Sequence, residues 1–175
     1  MLSTILIPAH LLAYSTLLGT QLYQSFVAVK VAYQALPSDA FTMLQKRAFP
    51  VYFRTQSALI VLSALTFPPH GPAALIKNRG DWIPFLVAGV MAGFNLVVYG
   101  PRTSRLMMIR RFQGKRTASA RQGDGAAEQR NDKTKCVDRA FSRNHAMSIH
   151  LNLITIGATL WYGWRLAWRL DVRLG

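Results

Sequence analysis

Five polar side chains fall inside stretches that are otherwise apolar: His10 and Gln21 early in the chain, Asn95 in the middle, and His145 and Asn152 toward the end. An imidazole can accept, donate or carry a proton, and a carboxamide donates and accepts at once. In hydrocarbon such groups are costly without partners, so a set drawn from several helices either ties those helices together or lines a polar cavity. Hydrogen bonding between helices is the plainer reading, and a binding site is the sharper one. His150 is a further candidate for the set. A metal centre needs three or four convergent His, Cys or carboxylate ligands. The chain has four histidines and one cysteine, and its apolar stretches carry no Asp or Glu, so neither a metal nor another cofactor is expected. No nucleophile with its base, paired carboxylates or phosphate loop occurs, and no residue is assigned a catalytic role.

The elements that must position these groups are long apolar segments. At 3.6 residues per turn His10, Tyr14, Gln21 and Ser25 share one stripe of the stretch from Thr4 to Leu36, with Leu11, Leu12, Leu18, Leu22, Phe26 and Val29 around the rest. No basic residue precedes Lys30 and the apolar run is too long for a signal core, so the stretch reads as a membrane anchor. Spans are expected at about 5–30, 50–67, 82–100 and 147–168, each near the length that crosses a bilayer. With 51% hydrophobic and 16% charged residues, and with the charges collected between those stretches, the chain reads as all-α. The expected architecture is a polytopic membrane protein, a four-helix transmembrane bundle forming a single domain over 1–175, with short amphipathic interfacial helices.

The net charge of +14 would suggest a nucleic-acid partner in a soluble protein. In a membrane protein it instead fixes orientation, and no nucleic acid is expected. Between Arg102 and Arg143 lie twelve Lys or Arg against Asp124, Glu128, Asp132 and Asp138, which makes this loop cytoplasmic. Lys77, Arg79, Arg165, Arg169 and Arg173 run against the rule on the other side. Arg102, Arg110 and Arg111 are candidates for lipid phosphate, with anionic headgroups as the expected partners.

Pro37 ends the first helix, and Phe41, Leu44, Ala48 and Phe49 then recur at helical spacing, which predicts a surface helix before Pro50. Gly89 and Gly93 form a small-xxx-small pair, compatible with a homo-oligomer contact but more simply with close helix packing. The composition from Thr117 to Lys135 predicts a disordered loop. Trp161, Tyr162, Trp164 and Trp168 predict an aromatic belt. On this topology His10 and His145 lie at opposite ends of the bundle, and Gln21 and Asn152 are placed to meet near its middle.

Taken together, Leu36-Pro37, Phe41, Leu44-Gln45, Phe49-Pro50-Val51-Tyr52-Phe53, Pro101-Arg102-Thr103 and the run from Phe141 to Ser148 with Asn152 resemble the transmembrane protein 205 family. His10, Gly19 and Gln21 fit as well. The resemblance implies a small four-helix membrane protein of the endoplasmic reticulum and secretory pathway or another internal membrane. It is associated in animals with tolerance of platinum drugs and with vesicle traffic. Transport or trafficking linked to tolerance of toxic compounds is therefore the expected function. The alternative is a small membrane-bound oxygenase acting on an apolar aromatic substrate.

Overall fold

The computed structural model describes residues 2–119 and 127–174, with side chains described at 5–113 and 134–169. Every regular element among them is helical. The first rod comprises α1 (Leu2–Leu22), a π-helical turn (Tyr23–Ala28) and α2 (Val29–Ala35). After the break at Pro37 comes α3 (Ser38–Leu65), then the single turn α4 (Pro72–Leu75). A third rod comprises α5 (Arg79–Phe94), a second π-helical turn (Asn95–Tyr99) and α6 (Gly100–Ser119). The last helix, α7, runs from Ala127 to Leu174. Three helices, Ile5–Ala35, Ser38–Leu65 and Arg79–Gln113, are long and apolar enough to cross a membrane.

The helices close into a ring in which α1 packs on α3, α3 on α5, and α5 and α6 on α7, with α7 returning to α1. Leu17, Ile60, Ala88, Ala92 and Ala158 form one buried core cluster, with one helix contributing each side. Phe67, Leu75 and Tyr162 form a second at one end. Large apolar side chains outside the ring, among them Leu12, Val61, Leu86, Val97 and Leu160, remain exposed, as expected of a surface whose solvent is lipid.

The structure departs from the sequence expectations in several places. The surface helix predicted before Pro50 is the first part of α3, which continues through that proline. Proline removes one backbone bond, but Phe49 and Phe53 stack across the position with centroids 6.1 Å apart and carry the helix onward. The expected disordered stretch 117–135 overlaps helix at both ends, since α6 reaches Ser119 and α7 starts at Ala127. Its middle, 120–126, lies outside the described residues. The second π turn has a legible cause. Pro101 has no N–H for the carbonyl of Val97, so the ladder shifts, and the Gly100 N–H bonds to the Asn95 carbonyl five residues back. A Cβ on Gly100 would lie 2.5 Å from that carbonyl and 3.2 Å from the Phe53 ring, which only glycine avoids.

Gly89 and Gly93 do not sit at a helix contact of this chain, because a Cβ on either meets nothing within 4 Å. The close packing expected of them falls to Ala88 and Ala92 on the neighbouring face. Gly163 is the opposite case, where a Cβ would meet the Tyr14 hydroxyl at 1.8 Å. Gly163→Ala is expected to push Tyr14 off the Thr159 carbonyl and destabilise by about 1–2 kcal/mol. Gly89→Ala should be neutral or gain up to about 1 kcal/mol of helix propensity. Unfolding midpoints of the two variants in detergent check the contrast.

Candidate functional site

The stripe on α1 faces the interior along its whole length. His10 is buried at the Phe67 and Tyr162 end of the bundle, where its Nδ1–H donates to the Ser63 carbonyl at 2.9 Å. That bond leaves Nε2 to accept from the Tyr162 hydroxyl. The Phe67 and Tyr162 rings meet the imidazole edge-on at 5.7 and 5.6 Å. One turn on, Tyr14 donates to the Thr159 carbonyl. Gln21 is fully buried, and neither of its amide atoms has a hydrogen-bond partner among the described residues. It does not bond Asn152, so the meeting expected of those two is replaced by a different one.

Asn152 is the centre of a network joining three helical rods. Its Oδ1 accepts from the Tyr52 hydroxyl at 2.8 Å and from Gln56 Nε2 at 3.2 Å, both on α3. Its Nδ2 donates to Ser25 Oγ at 2.8 Å, in the first π turn. All three partners thus come from α3 and the first rod. Asn95, fully buried at the start of the second π turn, donates through Nδ2 to the Ser148 carbonyl of α7 at 3.0 Å. Each π turn therefore places one residue against α7, at Ser148 and Asn152, one turn apart. Such turns are frequent at functional sites because the extra residue re-aims side chains and loosens the ladder.

Beside this network lies a cavity of about 330 Å³. Phe26, Val29, Phe49, Phe53, Ile149 and Leu153 form its apolar walls, and Ser25, Tyr52 and Asn152 supply a polar patch with Thr103, His145 and Ser148. The Thr103 hydroxyl is buried and has no hydrogen-bond partner among the described residues. His145 stacks on Phe141 at 5.4 Å, and burial holds its pKa below the ordinary histidine value, so it is neutral at pH 7. The size falls at the lower end of the roughly 300–1,000 Å³ range of small-molecule sites, and apolar walls with a few convergent polar groups are their usual construction.

Other sequence candidates fall elsewhere. His145 lies 17 residues before Tyr162 on α7, about 25 Å of helical rise from the His10 end. His150 is exposed and bonds its own helix at the Ala146 carbonyl. Arg102 is exposed. Arg110 pairs with Asp138 at 2.8 Å and Arg111 with Asp39 at 3.2 Å, so both brace α6 against its neighbours. Sequence reasoning missed Tyr52 and Gln56, although a carboxamide one turn after a tyrosine in an apolar run was a usable signal. It also took Tyr162 for a belt residue, whereas that side chain is buried and only the three tryptophans point outward.

An all-helical chain with three bilayer-length apolar helices and a buried polar network defines a multi-pass membrane protein. The chain belongs to the family described as Domain of unknown function (DUF4149), whose model matches residues 12–111. It is 43% identical over 162 residues to Xanthocillin biosynthesis cluster protein D of Aspergillus fumigatus, covering 93% of this chain and 89% of that protein. It is 28% identical over 159 residues to Transmembrane protein 205 of Danio rerio, covering 83% and 82%. No solved structure matches the chain.

Proposed function

We propose that the chain is a membrane-embedded binding protein that takes a small, largely apolar molecule with one or two hydrogen-bonding groups into the cavity beside Asn152. It then moves or sequesters that molecule. The observation that carries the proposal is the polar patch of Ser25, Tyr52 and Asn152 set in an otherwise apolar cavity wall. The lining carries no carboxylate and no thiol, and its Ser25 and Tyr52 hydroxyls bond Asn152 rather than the His145 imidazole, an arrangement that favours binding over turnover. The relative's place in a biosynthesis cluster supports a small-molecule ligand, and handling such a compound gives tolerance of it a physical route.

In this reading residues 147–168 of α7 are the fourth crossing, supported by the exposed Ile149, Leu153, Ile154 and Leu160 on a helix that packs along α5. The basic segment from Arg102 to Arg143 then faces the cytoplasm, where Arg102 meets anionic headgroups. The family resemblance favours the secretory pathway or another internal membrane as its home.

Purified protein in nanodiscs is expected to retain 2-naphthol, a neutral aromatic with one hydroxyl, above the level of empty nanodiscs in equilibrium dialysis. Leu153→Trp fills the cavity from its apolar wall and should reduce that excess at least about tenfold while shifting stability by only about 1–2 kcal/mol. Retention equal to empty nanodiscs, or untouched by Leu153→Trp, would remove the basis for the proposal.

A further inference from the structure

The end of the bundle away from the basic segment carries a second concavity, independent of the cavity beside Asn152. It is about 800 Å³ in volume and lies between the turn after α3, the start of α5 and the last turns of α7. Its floor is ionic. Asp81, only 1% exposed, accepts from Arg165 Nε at 3.1 Å and from Arg169 Nη2. The two guanidiniums remain about a third or more exposed, at 33% and 39% of their side-chain surface. A guanidinium has five N–H donors, and Asp81 engages one from each. The Arg165 fork lies against Gly80, where a Cβ would come within 2.6 Å of it, and Arg169 lies over the Phe67 ring at 5.5 Å, so each presents only its exposed side to the cleft. Lys77 also lines it. Three cationic side chains against one carboxylate leave the lining with two positive charges in excess.

The wall is aromatic. Trp161, Trp164 and Trp168 occupy positions i, i+3 and i+7 of α7, one flank of the helix, and are 62%, 70% and 65% exposed. Tryptophan at the level where apolar helix gives way to charge sits at the glycerol and headgroup layer of a bilayer, its ring among the acyl ends and its N–H in the polar zone. Arg165 and Arg169, which run against the positive-inside pattern, thus form part of a built cleft with an excess of positive charge beside an apolar ledge.

We propose that this cleft binds the phosphate headgroup of an anionic phospholipid in the leaflet opposite the basic segment. Arg165 and Arg169 donate to the phosphodiester oxygens, Lys77 supplies a further cation, and the tryptophans hold the glycerol backbone and the first acyl carbons. Asp81 positions the two forks and prevents them from collapsing onto other acceptors. The excess charge favours anionic over zwitterionic headgroups, and the tryptophan wall favours a lipid over free phosphate.

Native mass spectrometry of the full chain in mild detergent tests this, with dioleoyl phosphatidylglycerol, dioleoyl phosphatidylcholine and inorganic phosphate as probes. Phosphatidylglycerol adducts are expected to be retained about tenfold more strongly than phosphatidylcholine. The double change Lys77→Gln and Trp164→Ala leaves both Asp81 ion pairs in place, so the fold is kept, and it should remove most of that preference. Arg165→Lys, which retains the charge but not the fork, should weaken it as well. Equal retention of the two lipids overturns the proposal. So does a preference that survives all three substitutions but vanishes in Arg102→Gln with Arg105→Gln, because the lipid would then sit on the basic face. Displacement of the lipid by millimolar inorganic phosphate would assign the cleft to the free ion and overturn the lipid reading.

Discussion

Replacing Arg165 and Arg169 together by methionine is expected to cost about 3–5 kcal/mol of stability, because it strands a carboxylate with almost no access to solvent. Asp81→Asn alone should cost less, about 1–3 kcal/mol, although it removes the charge and one of the two acceptors. The asymmetry comes from exposure. The two guanidiniums are partly open and hydrate once the carboxylate is gone, whereas Asp81 has no such recourse. Adding Asp81→Asn to the double methionine variant should therefore recover most of the loss, which no sum of independent effects produces. Reversible unfolding of the four proteins in mixed micelles measures this directly. Equal losses in Asp81→Asn and the double variant, or a triple variant worse than the double, would show that Asp81 is not the buried member of the cluster.

That cluster also marks where reading the sequence stopped. The apolar segments, the inward stripe His10-Tyr14-Gln21-Ser25 and the inward face of Asn95 were legible, because helical period and the cost of polar groups in lipid act locally. Asp81 fell just outside the expected span at 82–100, and Arg165 and Arg169 read as charges that run against the positive-inside rule. Their meaning depends on a contact across 84 and 88 residues, which no local pattern encodes. The same holds for Tyr162, whose hydroxyl bonds His10 from 152 residues away. The π turns defeated the reading in another manner. Each adds a residue to its helix and rotates the phase of every later turn, so a 3.6-residue wheel drawn through Tyr23–Ala28 or Asn95–Tyr99 misplaces the side chains beyond it. Gln21, before the first turn, was expected to meet Asn152. Ser25, inside the turn, is the residue that does.

The two ends of the bundle are consequently built on different principles. At the Asp81 end a buried carboxylate is held by two partly exposed arginines and the three tryptophans point outward. At the other end the interior polar groups are neutral hydroxyls, amides and an imidazole, set beside a cavity, and the charges are outside. A neutral interior can accept an apolar ligand without stranding an ion, which is why the binding proposal belongs to the Asn152 end and the headgroup proposal to the other.

Asn152→Leu is expected to destabilise by about 2–4 kcal/mol and to abolish the retention of 2-naphthol. Individual hydrogen bonds between membrane helices are weak, about 0.6 kcal/mol on average and up to about 1.7. The loss here exceeds one such bond because a single truncation takes a partner from Ser25, Tyr52 and Gln56 at once, leaving only the Gln56–Tyr52 bond at 3.3 Å and the Tyr52–Ser25 contact. Asn152→Asp separates geometry from charge. As a neutral acid it keeps an acceptor for Tyr52 and Gln56 and a hydroxyl that can donate to Ser25, so below about pH 3, where aspartate is mostly protonated even when unfolded, stability should stay near that of the parent. As pH rises the unfolded chain ionises first. The buried group resists, because burial raises its folded pKa above the unfolded value, and stability must fall through the interval between the two values. The donors from Tyr52 and Gln56 narrow that interval without closing it, since two hydrogen bonds do not replace a full hydration shell. A flat pH profile for Asn152→Asp, or an Asn152→Leu variant within about 0.5 kcal/mol of the parent, would mean that the network is open to water and that the cavity beside it is not the dry pocket the binding reading requires.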